Sequence, residues 1–141
     1  MTEHLGGPET EAKVLARHRR YLALDDAGWM FRIVADGAPA GSIGFWHQGW
    51  NSGQVYETGW AVLPAFQGRG LAVAAALQVI ALARKHGDHR HLHAFPSIHH
   101  GASNGICRRA GFTLQGECDV EYPKGSLKRC NDWRVDLSVE P

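Results

Sequence analysis

Long apolar runs, paired cysteines and a charge of one sign are all missing from this sequence. No apolar stretch reaches the roughly 18–20 residues that span a bilayer, so no transmembrane helix is expected. The net charge is +1, and Lys and Arg are scattered along the chain. They form no basic footprint for a nucleic-acid duplex or an anionic membrane, and neither is expected as a partner. The stretch MTEHLGGPETEAK lacks the basic-then-apolar pattern of a signal peptide, which predicts a cytoplasmic protein. Three cysteines, Cys107, Cys118 and Cys130, stand far apart with no CxxC. An odd count without such a pair argues against a disulfide framework and a zinc knuckle. Repeats and low-complexity linkers are also absent. At 141 residues and 44% hydrophobic composition, the chain reads as one domain, 1–141, around a single core.

What is present alternates between strand and helix signals. ETEAKVLARHRRYLAL (9–24) has mixed helical spacing and Thr10 to cap it, which predicts a helix. WMFRIVA (29–35) is aromatic and β-branched, SIGFWHQ (42–48) returns as a hairpin partner, and QVYETGWAVLP (54–64) makes a third strand. The turns between them are read as 36–41 and 49–53, both rich in Gly with Asp or Asn. The run Leu71–Ala83 is too long for a strand and has no β-branched majority. It predicts a helix, apolar nearly all round and therefore largely buried. HLHAF (91–95) is a short strand, ASNGICRRAG (102–111) a helix with a Gly stop, and 112–123 and 129–139 two closing antiparallel strands. The order implies a mixed α+β layer with at least one β-α-β crossover.

Between the third strand and the long helix lies Gln67-Gly68-Arg69-Gly70. At a helix N-terminus the first N–H groups have no helical partner, and the macrodipole adds partial positive charge. Glycines let that backbone approach a ligand closely. The combination predicts an anion site, suited to phosphate or pyrophosphate, to which Arg69 could add a charge-assisted bond. Two nucleotide motifs are excluded. GRGLAV has Val73 where a dinucleotide fingerprint needs its third glycine, and no GxxxxGK[ST] occurs.

GWAVLPAFQGRGLA resembles the acetyl-CoA-binding motif of the GCN5-related N-acetyltransferase (GNAT) superfamily, [QR]-x-x-G-x-[GA], read here as Gln67-Gly68-Arg69-Gly70-Leu71-Ala72. The later segment SNGICRRAGF is similar to the family's Asn, short helix and Gly-Phe, matched by Asn104 and Gly111-Phe112. The resemblance covers roughly 29–137. It implies a splayed, mostly antiparallel sheet of six or seven strands flanked by helices, with the family's first strand missing or short in this chain. It also implies acetyl transfer from acetyl-CoA to a primary amine of a small molecule or a peptide N-terminus. By the same resemblance, the cofactor arm pairs with backbone at Ala61, Val62 and Leu63, and the Val62 N–H lies near the thioester oxygen. Amides of Gln67 through Ala72 hold the pyrophosphate, and the Asn104 side chain bonds the arm.

Glu57 matches an acidic residue that many members place on the cleft strand, and is the candidate general base; His99 or His100 is the alternative. Cys107 stands where the family often has a tyrosine acid, so it is either the acid or a small core side chain. Glu117, Asp119 and Glu121 alternate on one strand face and could draw a cationic amine, or simply be solvated. Trp46 or Trp50 could wall the acceptor site. His89, His91 and His93, two residues apart, could share a face and bind zinc, but no matching acidic or cysteine partner accompanies them and no metal is expected. The short N-terminus suggests a homodimer that completes the acceptor groove. A non-catalytic acyl-CoA-binding module is the alternative to an enzyme.

Overall fold

Two very short turns set the register of the first half of the sheet. The structure, a computed structural model, describes residues 28–121 and 125–139. The helix expected over 9–24, and the question of a first strand, lie outside the described residues. β1 (Gly28–Ala35) folds onto β2 (Ala38–Trp50) through Asp36-Gly37 alone, with φ of 53° and 75°. β2 returns as β3 (Gly53–Val62) through Asn51-Ser52, with φ of 50° and 64°. Two successive residues at positive φ form the tight turn whose twist matches paired strands. The longer turns expected at 36–41 and 49–53 are thereby corrected: Ala38–Gly41, Gly49 and Trp50 belong to β2. Pro39, which cannot donate to a ladder, pairs with Val34 where the β1–β2 register shifts.

The chain then leaves the hairpins. A 3-10 turn (Pro64–Phe66) and the glycine connection lead into α1 (Leu71–His86). β4 (His91–Ala94) re-enters the sheet parallel to β3. After α2 (Gly101–Arg109) come β5 (Thr113–Glu121) and β6 (Leu127–Asp136). β6 inserts between β4 and β5, so the strand order is β1-β2-β3-β4-β6-β5. Every neighbouring pair is antiparallel except β3–β4. The α+β class and the mostly antiparallel sheet are as expected, with six strands among the described residues.

α1 covers one face of this sheet. Ala72, Ala75, Ala76, Val79, Ile80 and Ala83 form a stripe at helical spacing, buried with Ile43, Phe45, Tyr56 and Val62. The alanines let the helix come close to the strands. The expectation of burial nearly all round is corrected: Leu77 and Leu82 are 51% and 36% exposed, because the sheet covers only one side of the helix. α2 adds Ile106, Cys107 and Ala110 to the same core. Strand alternation sends Met30, Ser42, Trp46 and Glu57 to the opposite face.

Candidate active site

β3 and β4 are joined at only two positions, Tyr56 with Leu92 and Glu57 with His93. Beyond Glu57 they part, while β3 continues along β2 as far as Val62. The Leu63 N–H donates to the Ala40 carbonyl at 2.7 Å, which sets the alternation of that antiparallel ladder. Odd-numbered residues of β3 turn their backbone toward β2. Trp60 and Val62 therefore turn theirs into the gap. An extended molecule lying in the gap would find backbone groups to pair with, as an added strand would.

β3, which borders the gap, runs on through the 3-10 turn into the glycine loop. Gly68 and Gly70 have φ of 78° and 74°, and a Cβ on either would meet nothing within 4 Å. Left-handed backbone favours glycine, and the empty space leaves the main chain approachable. The first helical bond of α1 runs from the Ala74 N–H to the Gly70 carbonyl at 3.1 Å. Among the described residues no side chain caps the helix, and its first turn holds no acidic residue. Among the described residues, the amides of Gly68 through Ala72 donate to no backbone carbonyl. Together with the helix dipole they form an uncompensated positive end.

Two members of the expected cradle are otherwise engaged. The Gln67 N–H donates to the Pro64 carbonyl at 3.3 Å, and its Nε2 donates to the Val62 carbonyl at 3.0 Å. Gln67 thus clips the loop to the end of β3, and the available amides start at Gly68. Arg69 pairs with Asp36 at 2.7 Å and lies over the Phe66 ring, 5.6 Å from its centroid. An exposed pair of this kind holds weakly and can be exchanged for another anion.

At the fork sits Glu57. Its Oε1 accepts hydrogen bonds from Trp46 Nε1 at 3.2 Å and Gln48 Nε2 at 2.9 Å. Burial raises its pKa above the ordinary carboxylate value; the Gln48 and Trp46 bonds and the nearby His93 pull partly back. A carboxylate tuned upward is a better proton acceptor at neutral pH. Glu57 lines a cavity of about 760 Å³ that runs from β2 and β3 to the β5–β6 hairpin. Trp46, Trp60 and Phe95 give it aromatic walls, and His99, His100 and Glu121 also border it.

Asn104 and Cys107 are both buried. Asn104 Nδ2 donates to the carbonyls of Ser97 and His100 at 2.9 and 2.8 Å, and its Oδ1 accepts from Asn131 Nδ2 and Trp133 Nε1, both at 2.8 Å. That uses both donors and both acceptor positions of the amide. In this structure the side chain is a junction between α2, β6 and the 97–100 loop. Cys107 is 0% exposed within the core, and burial pushes its thiol up to about 12. Of its two readings, acid or core side chain, the structure supports the second.

Of the three histidines, His91 and His93 lie with ring centroids 6.2 Å apart, and His89 turns to another partner. His89 precedes β4 and lies 2.7 Å from His47, Nε2 to Nδ1. His91 approaches Asp136 at 4.0 Å, and His93 Nδ1 bonds Asp132 Oδ1 at 2.6 Å inside the protein. The three imidazoles do not converge. Trp46 borders the cavity, whereas Trp50 packs against Phe95 with ring centroids 4.7 Å apart. Glu117 and Asp119 are held by Arg129 at 3.1 and 3.2 Å, which leaves Glu121 as the member of that trio on the cavity.

Sequence reasoning passed over Gln48, Trp60, Lys128 and Arg129, all of which border the cavity. For Gln48 the signal was available. A two-residue turn at Asn51-Ser52 places Trp46 opposite Glu57 and Gln48 opposite Val55, on the same face. The contribution of β6 needed the sheet order, which no local pattern carries.

Comparison with known proteins agrees with this geometry. The family profile of the acetyltransferase (GNAT) domain matches residues 1–113. The chain belongs to the GNAT acetyltransferase family. A search of curated protein sequences found no match. Among solved structures, the aminoglycoside acetyltransferase AAC(6')-Ib in complex with coenzyme A superimposes with a TM-score of 0.73 at 16% identity, over 96% of this chain and 81% of that one. RimL, a ribosomal-protein alpha-N-acetyltransferase in complex with coenzyme A, gives 0.67 at 22% identity, over 92% and 70%. The putative acetyltransferase yncA from Salmonella typhimurium, with acetyl-CoA, gives 0.68 at 20% identity, over 92% and 75%. At these identities the likeness is one of fold. No described helix is long and apolar enough to cross a membrane.

Proposed function

We propose that the protein transfers the acetyl group of acetyl-CoA directly to a primary amine, on a small molecule or at a peptide N-terminus. One observation carries the reading: β3 departs from β4 immediately after Glu57 and runs on through the glycine loop into an uncapped helix end. The residues present fit the cosubstrate. Amides of Gly68 through Ala72 suit a diphosphate, and the two open glycine positions give it room. Of the expected backbone stretch Ala61, Val62 and Leu63, Val62 turns its N–H toward the space for an extended arm, together with Trp60, whereas Ala61 and Leu63 turn toward β2. Acetyl-CoA would bring an activated thioester.

The chain's own part is positioning, proton transfer and charge stabilisation. Glu57 takes the proton from the attacking nitrogen as the N–C bond forms and the C–S bond breaks. The Val62 N–H, turned into the gap, donates to the oxygen on which negative charge develops. Water returns a proton to the departing thiolate, a reading supported by the burial of Cys107. Holding amine and thioester side by side supplies much of the remaining acceleration.

A thiol-release assay over a panel of amines tests this, paired with calorimetry of coenzyme A binding. Turnover that disappears in Glu57→Gln while coenzyme A still binds supports the enzyme. The burial of Cys107 favours one other reading, a non-catalytic acyl-CoA-binding module. Tight binding with no thiol release on any amine would select it. No heat with coenzyme A would overturn both.

A further inference from the structure

Gly59 occupies the interior of β3, where glycine normally weakens a strand. A Cβ built there would meet Trp46 Cη2 at 3.1 Å, tighter than an ordinary contact. The indole of Trp46 therefore lies across β3 on the space that Gly59 leaves open. In that pose its Nε1 reaches Glu57 Oε1 at 3.2 Å. Gln48 is oriented from the other side. Its own Oε1 accepts the Gly49 N–H at 3.2 Å, which turns its Nε2 toward the same Glu57 oxygen, 2.9 Å away. Among the described residues, Glu57 Oε2 receives no hydrogen bond, and the residue borders the cavity.

We propose that Trp46 and Gln48 are positioning residues for Glu57: both donate to Oε1, so that Oε2 is the oxygen presented to the amine, and Gly59 is small so that the edge of the indole has room. The inference rests on Glu57 being the base. It adds which oxygen acts and what aims it.

Both bonds favour the charged form of the carboxylate, so their removal should make it hold its proton more tightly. Other titratable groups also face Glu57. From β4 comes His93, backed by Asp132, and from β6 comes Cys130. Across the cavity stand His99, His100 and Glu121, with Lys128 and Arg129. All of these remain in each variant, so a difference between variants reports the donors to Oε1.

The experiment is the pH dependence of kcat/KM for acetyl transfer by wild type, Gln48→Met, Trp46→Phe and Gln48→Lys. The acid limb should move up by about 0.5–1 pH unit in Gln48→Met and Trp46→Phe, lowering activity several-fold at pH values below the wild-type limb and little well above it. Gln48→Lys puts a cation beside Oε1 and should move the limb down. Opposite shifts at one position are not a packing effect. If Trp46→Phe fails to fold, the two Gln48 variants still decide the matter. A limb that stays fixed in both, with activity scaled equally at every pH, overturns the inference. Glu57→Gln separates the two levels: inactive Glu57→Gln with an immobile limb refutes only the positioning, and active Glu57→Gln refutes the base as well.

Discussion

Replacing Asn104 should unfold the protein more readily without touching the coenzyme site. Its side chain makes four hydrogen bonds of 2.8 to 2.9 Å. Each contributes about 1 kcal/mol net, and a stranded buried donor costs about 1–3 kcal/mol more. In Asn104→Ala, Ser97, His100 and Asn131 are half-exposed and can turn to water. Trp133 is 4% exposed and its indole N–H cannot. The expected loss is about 5–7 kcal/mol, a large share of the roughly 5–15 kcal/mol that stabilises a typical domain. With a urea dependence of about 2 kcal/mol per molar, the midpoint should fall by about 2.5–3.5 M. Asn104→Asp keeps both acceptances but sets a carboxylate against two carbonyls, so it should lose at least half as much. Urea unfolding followed by circular dichroism measures both, and calorimetry at low temperature measures coenzyme A affinity, expected within twofold of wild type. A variant with an unchanged midpoint and tenfold weaker coenzyme A binding would return Asn104 to the ligand and refute the argument.

Four further outcomes are expected. Glu57→Gln should lower kcat/KM by about 10²–10⁴-fold with coenzyme A affinity retained. Because burial raises the Glu57 pKa and the base must be unprotonated, wild-type kcat/KM should fall as pH drops through a value above the ordinary carboxylate range; a limb at the ordinary value would contradict this. Gly70→Ala forces a side chain into φ 74°, at a cost of roughly 1–2 kcal/mol, and sets a methyl where the diphosphate is proposed to lie. Calorimetry should then show at least tenfold weaker coenzyme A binding. Cys107→Ala should lower stability by about 1 kcal/mol through a small void, read as a lower melting temperature, while the pH profile of kcat/KM keeps its shape. A lost basic limb would restore the thiol to the reaction.

Local chemistry made much of the fold legible. Aromatic and β-branched residues mark β1, β2 and β3, and the alanine-rich run with glycines at both ends marks α1. The loop signature worked because backbone conformation is written in glycine itself: Gly68, Gly70 and Gly87 all take positive φ. Turn lengths were misread because Pro39 and Gly41 carry turn chemistry yet are tolerated at the start of β2. The burial of α1 was overestimated because alanine tolerates exposure, so composition does not reveal how many faces are covered. Asn104 was assigned by its place in a motif, whereas its partners Asn131 and Trp133 lie on a strand 27 and 29 residues away. Such partnerships depend on sheet order. So does the contribution of β6 to the cavity, since β6 reaches β4 only by inserting inside β5.

The sheet is in effect two three-stranded ribbons, β1-β2-β3 and β4-β6-β5, sewn together by the two residue pairs that join β3 to β4. An occupant of the gap that bonds both sides lengthens this seam. Binding should then make the halves behave as one mechanical body, slowing hydrogen exchange at Leu92 and His93 as well as at the groups it touches.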